Sequence, residues 1–510
     1  MKNIFIFFYL LFSLNLFSQP VIVWQKTIGG NNADELFVIR QTIDGGYVLG
    51  GYSNSNISGD KTENNRGGDD YWIVKIDSSG NIQWEKTIGG SGYDDLFSME
   101  QTTDSGYILG GRSDSNISGD KTENSRGLTD YWILKLDALG NIQWQKTIGG
   151  NDDDGLTSIK QTFDGGYILN GGSATQLASG DKNLDSSGVW ILKLDSIGNI
   201  HWQRVFTKKG ASSIIQTIDS GYFMGGYSQI RSGDYWVTKI NSAGSIQWEK
   251  SIGGNDLDEF KSIQLTTDGG YIIGGSSFSN ISGDKTENKR GFEDFWIVKL
   301  GSSGNIQWQK TIGGINHDYF YSIEQSPDGG YITGGFSSSN ISGDKTDNSK
   351  GFEDYWLVKL DASGNILWQK TIGGNGDDEL RSLQITADGG FILAGSSLSD
   401  ISGDKTENSW GASDYWILKY SKDDTGIEEV NPQFLLQVYP NPVTSYLTIS
   451  LSNLKKYTLN IINPEGKICF QTTSFATRLQ LDVQNLSAGI YLCNLKLGNE
   501  SYFEKMIVVK

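Results

Sequence analysis

Proline, cysteine and histidine are scarce in this chain of 510 residues, numbering 6, 2 and 2. Both cysteines, Cys469 and Cys493, fall near the C-terminus. Nothing before them depends on a disulfide, and thiol catalysis and thiolate metal sites are excluded there. The two can pair outside the cytoplasm or stay as buried thiols. Of the histidines, His201 lies in "NIHWQR", where other copies of the phrase carry Gln, and reads as a solvated strand residue. His317 lies in the loop "INHDYF" and reads as polar surface or as a ligand. A formal charge of −18 excludes an electrostatic grip on nucleic acid. "IGGNGDD" lacks the Lys-Ser/Thr ending of a phosphate loop.

Apolar runs long enough to span a bilayer are missing after the first twenty residues. There, Lys2 precedes an apolar stretch from Ile4 to Leu16, and Ser18 stands before Gln19. The pattern predicts an export signal over 1–18, cleaved between Ser18 and Gln19, and no transmembrane segment in the mature chain. A membrane anchor is the competing reading, but the stretch is shorter than the roughly 20 residues a span needs. What the chain has in plenty is glycine, 66 residues, with 12% aromatics. That mixture suits short strands and tight turns and is foreign to disordered segments.

Internal repetition dominates. One tryptophan series runs Trp24, Trp84, Trp144, Trp202, Trp248, Trp308, Trp368. A second runs Trp72, Trp132, Trp190, Trp236, Trp296, Trp356, Trp416. Successive spacings are 60, 60, 58, 46, 60 and 60 residues in the first and 60, 58, 46, 60, 60 and 60 in the second, so each unit is one module and one copy is shortened. The unit from Asp256 to Gly314 predicts four strands: Phe260–Thr266, Tyr271–Ser276, Phe295–Leu300 and Ile306–Ile312. Asp-Gly and Gly-Asn pairs mark its tight turns. Four antiparallel strands per module is the pattern of a propeller blade.

The ends of the array are informative. The last unit stops after its third strand at Tyr420, and the missing fourth strand stands at the start, Val21 to Gly30. These ends balance if the N-terminal strand completes the last blade, closing the ring and removing exposed edges. The fold class expected is all-β: a seven-bladed β-propeller over 19–421, closed by strand 21–30, then a linker at 422–433 and a small C-terminal β-sandwich at 434–510.

The phrases "WQKTIGGNGDDELRSLQITADGGFILAG" at 368–395 and "DYWILK" at 414–419 resemble the SBBP-type β-propeller repeats of bacteria. "VYPNPVTSYLTISL", "LNIINPEGKICFQT", "LQLDVQNLSAGIYLCNLKLG" and "KMIVVK" resemble the type A C-terminal sorting domain of the type IX secretion system in Bacteroidota. That second resemblance implies the type IX secretion machinery as a partner through residues 434–510, and a secreted or outer cell-surface location.

A propeller gathers its long loops on one face, where functional residues normally sit. "NISGDKTEN" recurs with Asp60, Asp120, Asp284, Asp344 and Asp404. Such carboxylates and amides either ligate calcium or shape the loops by accepting backbone hydrogen bonds. No other cofactor is implied. The shortened fourth unit lacks this loop, keeping only Gln229 to Ser232, and carries Lys208 and Lys209 where its neighbours carry acids. A notch beside a basic patch is expected there. Trp410, outside both tryptophan series, replaces an Arg or Lys in its loop and is a candidate ligand contact. Acidic residues recurring in equivalent positions single out no catalytic pair. The chain is therefore expected to be no enzyme, but a binding scaffold or adhesion module for a glycan or protein. An extracellular carbohydrate-active enzyme using loop carboxylates is the alternative, and a structural surface component a third.

Overall fold

A computed structural model describes residues 20–228, 233–422, 437–439, 443–450, 457–463, 467–474, 478–497 and 500–508. Ser18, Gln19, the 1–18 leader, Gln229 to Ser232 and nearly all of the 422–433 linker lie outside the described residues. One compact unit is Gln19–Asp423, and Asp424–Lys510 belong to another. Neither has a helix among the described residues.

The described residues of the large unit form seven four-stranded antiparallel sheets, each strand beside its sequence neighbour. In the sheet spanning 258–312 the strands are Asp258–Leu265, Tyr271–Ser277, Asp294–Leu300 and Ile306–Ile312. The first begins two residues before the apolar pattern does, because Asp258 caps it. Its carboxylate accepts the Gly254 amide at 2.7 Å and the Ser277 hydroxyl. The tight turn that follows holds Gly269 at φ 78°, and Asp268 accepts the Thr266 hydroxyl at 2.5 Å and the Gly270 amide at 3.0 Å. The last sheet takes its fourth strand from the chain's start: Ile22–Ile28 pairs with Asp414–Tyr420. The first strands of successive sheets lie against one another all the way round, the seventh against the first.

The third strand of each sheet is buried because neighbouring sheets cover both its faces. Its tryptophan stitches the layers together. Trp296 is fully buried, donates its indole N–H to Gln309 Oε1 at 3.0 Å and packs 4.8 Å from the Tyr235 ring of the preceding sheet. Tyr235 in turn donates its hydroxyl to the Trp296 carbonyl at 2.9 Å. Such aromatic pairs add about 0.5–1.5 kcal/mol beyond area burial.

The "I-G-G" ending of the fourth strand has a steric cause. A Cβ on Gly89 would stand 1.8 Å from Asp70 Oδ1, and one on Gly90 would stand 2.6 Å from the Ser115 Cβ. Gly89→Ala is therefore expected to destabilise the unit by about 1–3 kcal/mol. Urea unfolding followed by tryptophan fluorescence checks this; an unchanged midpoint would refute the steric account.

The C-terminal unit has a three-stranded sheet (Gln437–Tyr439, Tyr446–Ser450, Arg478–Asp482) and a four-stranded one (Ile468–Ser474, Tyr457–Ile462, Gly489–Leu497, Glu500–Val508). Leu447 and Ile449 of the first share a core with Leu459, Ile461, Leu495 and Met506 of the second. Cys493 is buried in that core and Cys469 is exposed.

Candidate functional site

Each inner strand of the large unit carries one β-bulge at the same place. The register slips between Leu36 and Val38, Leu96 and Ser98, Leu156 and Ser158, and Ala211 and Ser213. It slips again between Phe260 and Ser262, Phe320 and Ser322, and Leu380 and Ser382. The flanking residues repeat from sheet to sheet, but the bulged residues do not: Phe37, Phe97, Thr157, Ser212, Lys261, Tyr321 and Arg381. All seven are half-buried and line a central cavity of about 580 Å³. A bulge re-aims a side chain out of the ladder. Here it turns seven equivalent strands into a ring of dissimilar side chains.

The ring is lopsided. The Arg381 guanidinium carbon lies 4.6 Å from the Tyr321 ring centroid, 5.8 Å from Phe37 and 5.7 Å from Phe336. It also bonds the Tyr321 hydroxyl and Glu379. Phe37 meets Phe97 edge-on at 5.1 Å, Arg112 stands 5.5 Å from the Phe97 ring, and Lys261 stands 5.5 Å from that of Tyr321. This aromatic and cationic arc faces small polar residues, Thr157 and Ser212, on the third and fourth sheets. Carboxylates edge it: Arg112 pairs with Asp95 at 2.7 Å and Lys261 with Glu259 at 3.3 Å. Burial, then Glu379 and Asp377, push the Glu353 carboxyl up to about 7. Deeper in the cavity, Glu100 accepts the Gln161 amide and Glu324 the Ile385 amide, both at 2.8 Å, joining adjacent sheets.

The residues singled out in sequence lie elsewhere. Asp60, Asp120, Asp344 and Asp404 each accept a glycine amide at 3.2 Å, and Asp284 accepts one at 3.3 Å. Asp120 and Asp344 also pair with Arg66 and Arg290 of the preceding loop at 2.8 Å, and Asp404 pairs with Lys350. Among the described residues no three His, Cys, Asp or Glu side chains gather as a metal site. Asp120, Asp344 and Asp404 are thus engaged by a cation as well as an amide, while Asp60 and Asp284 accept amides. Lys208 is exposed with φ 57°. Lys209 points into its sheet: its ammonium lies 5.5 Å from the Trp236 ring, 3.6 Å from Glu249 and 3.3 Å from Ser228 Oγ. In other sheets a lysine from the long loop takes this place, as Lys285 does 5.0 Å from Trp296. Lys209 thus replaces the lysine lost with the shortened loop. His201 is exposed; His317 bonds Glu293 at 2.7 Å and stacks on Phe292 at 4.7 Å. Trp410 is 57% exposed.

The bulged residues are not legible in the positions that repeat. The signal that finds them is the reverse: an inner-strand position that fails to repeat, as the position three residues on also does (Arg40, Glu100, Lys160, Ile215, Gln264, Glu324, Gln384).

Comparison with known proteins bears on both units. Residues 437–509 match the secretion system C-terminal sorting domain family. A 152-residue segment is 24% identical to the regulatory protein FlaEY of Caulobacter vibrioides, and the match spans only 16% of that protein. Among solved structures, PorZ of Porphyromonas gingivalis, a surface component of its type IX secretion system, aligns over 95% of this chain and 60% of its own at 11% identity and a TM-score of 0.43. The Dos1 propeller aligns over 78% of this chain and 95% of its own at 12% identity and a TM-score of 0.41. The chain is thus an all-β propeller of repeated four-stranded sheets joined to a sorting domain. The sorting domain at 437–509 marks the protein as secreted or displayed at the cell surface.

Proposed function

We propose that the protein is a surface-displayed, non-enzymatic binding module: a closed seven-bladed propeller that holds a glycan or protein ligand at the mouth of its central cavity. The C-terminal sandwich serves its export. The observation that carries this reading is the divergence of the seven bulged side chains, each set between an apolar residue and, in six of the strands, a serine. Residues that only hold the ring together serve the same role in each blade and stay alike, as the third-strand tryptophans do. A ligand without sevenfold symmetry asks for different contacts from different blades. The Tyr321, Arg381, Phe37 and Phe97 arc supplies flat apolar faces with a guanidinium between them, which suits sugar rings and aromatic or acidic protein side chains.

The test is a glycan and surface-protein array probed with the 20–422 unit. Hits should weaken at least tenfold in Phe37→Ala/Arg381→Ala, and persist in Asn56→Ala/Asn116→Ala on the repeated loops. Equal loss in both variants would sink the reading.

One observation favours a second reading, an extracellular carbohydrate-active enzyme. Glu353, pushed up to about 7 beside Glu379, has the proton affinity of a general acid. Polysaccharide turnover abolished by Glu353→Gln would replace the binding proposal with this one.

A further inference from the structure

The long loops of successive sheets are clasped together by one repeated device. A cation four residues before the third strand's leading aspartate reaches over the next loop to its "GDK" aspartate. Arg66 holds Asp120 at 2.8 Å, Arg126 holds Asp181 at 3.0 Å, Arg290 holds Asp344 at 2.8 Å, and Lys350 holds Asp404. In each case the side-chain stem packs over a loop glycine held at positive φ: Gly119, Gly180, Gly343 and Gly403. The glycine is needed twice, for its backbone conformation and for the space the stem fills.

At the seam where the last sheet meets the first, the cation is absent. Trp410 occupies its position, with the indole across Gly59 as the arginine stems lie across theirs. Indole supplies one N–H, shared with Asp60, and no positive charge. Asp60 therefore faces Glu407 without the guanidinium that separates the equivalent acids elsewhere; at the next seam Arg66 bonds both Glu63 and Asp120. Glu407 pairs with Lys26 at 3.2 Å and accepts the Thr27 amide at 2.6 Å. The open side of the indole, Asp60, Glu407 and Asn81 line a groove of about 810 Å³. Burial and the nearby Glu407 raise the proton affinity of Asp60, while the Gly29 amide, Trp410 and Lys26 lower it.

We propose that this seam binds an arginine side chain supplied by a partner, a basic protein segment. Its guanidinium would stack on the open face of Trp410 and set its N–H groups toward Asp60 and Glu407. The occupant is argued from the four clasped seams, where the chain's own cation fills the corresponding place. An exposed tryptophan beside two carboxylates is the combination that favours a planar cation, through ring attraction and charge-assisted hydrogen bonds together. The proposal is independent of the cavity mouth and of what binds there.

The full chain titrated with hexa-arginine by calorimetry tests it. Wild type should show one saturable site above the diffuse attraction of an acidic protein. Trp410→Arg restores the clasp from within, so it should melt at or above the wild-type temperature and bind at least tenfold more weakly. Trp410→Ala should also lose the site, although it leaves the groove acidic. Arg66→Trp, which copies the open seam at the neighbouring position, should raise the stoichiometry from one to two. Equal affinity in wild type and Trp410→Arg would overturn the proposal, as would saturable binding of methyl glucoside that competes with the peptide. An unchanged stoichiometry in a folded Arg66→Trp protein would overturn it as well.

Discussion

A chain lacking residues 21–30 is expected to yield no soluble folded monomer. Among the described residues, the strand Ile22–Ile28 alone pairs with one edge of Asp414–Tyr420, and its loss strips hydrogen bonds from a strand buried along its whole length. The buried Trp416 loses Gln25 Oε1, which accepts its indole N–H at 3.0 Å. Glu407 loses the Thr27 amide at 2.6 Å, and Asp34 loses the Gly30 amide, also at 2.6 Å. Ile28, which is buried in the layer between the last and first sheets, leaves a void there. Unmade buried hydrogen bonds cost about 1–3 kcal/mol each, and the lost apolar burial adds to them. The sum exceeds the roughly 5–15 kcal/mol by which domains are stable. The bared edge is also a template for pairing with another chain. Size-exclusion chromatography with light scattering should find aggregate or nothing, and a peptide of residues 19–31 added in trans during refolding should rescue monomer. A truncated monomer melting cooperatively within a few degrees of wild type would refute the account.

The large unit's strands were legible because the chain repeats them. Alternating Trp296, Val298 and Leu300, with Gly-Asn and Asp-Gly turns at fixed offsets, places strands to within two residues at their ends. The unmatched strand at 21–30 was legible from the order of the two tryptophan series alone. What repetition could not convey is which repeated polar residue does what. "G-D-K" reads as a polar surface loop, yet its lysine is buried and its aspartate is tied to the next loop. Lys208 and Lys209 read as one basic patch, but a two-residue phrase does not say that only the second turns inward to replace a missing lysine. The cavity mouth stayed hidden for a different reason. A bulge is a register slip between two strands, and Phe37, Tyr321 or Arg381 shows nothing locally that tells a channel-facing side chain from a core or surface one.

Lys61→Met is expected to destabilise the protein by about 3–5 kcal/mol at pH 7.5 and by much less at pH 5. Lys61 is 2% exposed, lies 5.2 Å from the Trp72 ring and sits in the field of two buried aspartates, Asp34 and Asp70. Methionine fills the same volume but leaves both carboxylates without their cation. Burial already pushes Asp34 up from the ordinary 3.8 to about 6 and Asp70 to about 7, with Lys61 holding both down. A carboxyl whose folded proton affinity is raised contributes stability that is full below the unfolded value and is lost as pH rises through the folded one. The wild-type protein should therefore gain stability between pH 7.5 and pH 5, as Asp34, Asp70, Asp294, Asp318 and Asp414, all pushed up to about 6 or 7, take up protons. Acid brings the opposite trend. The turn aspartates Asp44, Asp104, Asp164, Asp219 and Asp268 are lowered to about 2, and burial alone would raise them. Hydrogen bonds from turn hydroxyls and amides, and the lysines beside them, prevail. Their contribution is present above 3.8 and fades as pH falls through about 2, so the stability maximum belongs near pH 4–5. In Lys61→Met the Asp34 and Asp70 affinities rise further, and the deficit against wild type should shrink as those two groups are neutralised. Chemical denaturation of both proteins at pH 5, 6, 7 and 8 measures that difference directly. A deficit independent of pH would mean that Lys61 acts by packing over Trp72, with no part in compensating buried charge.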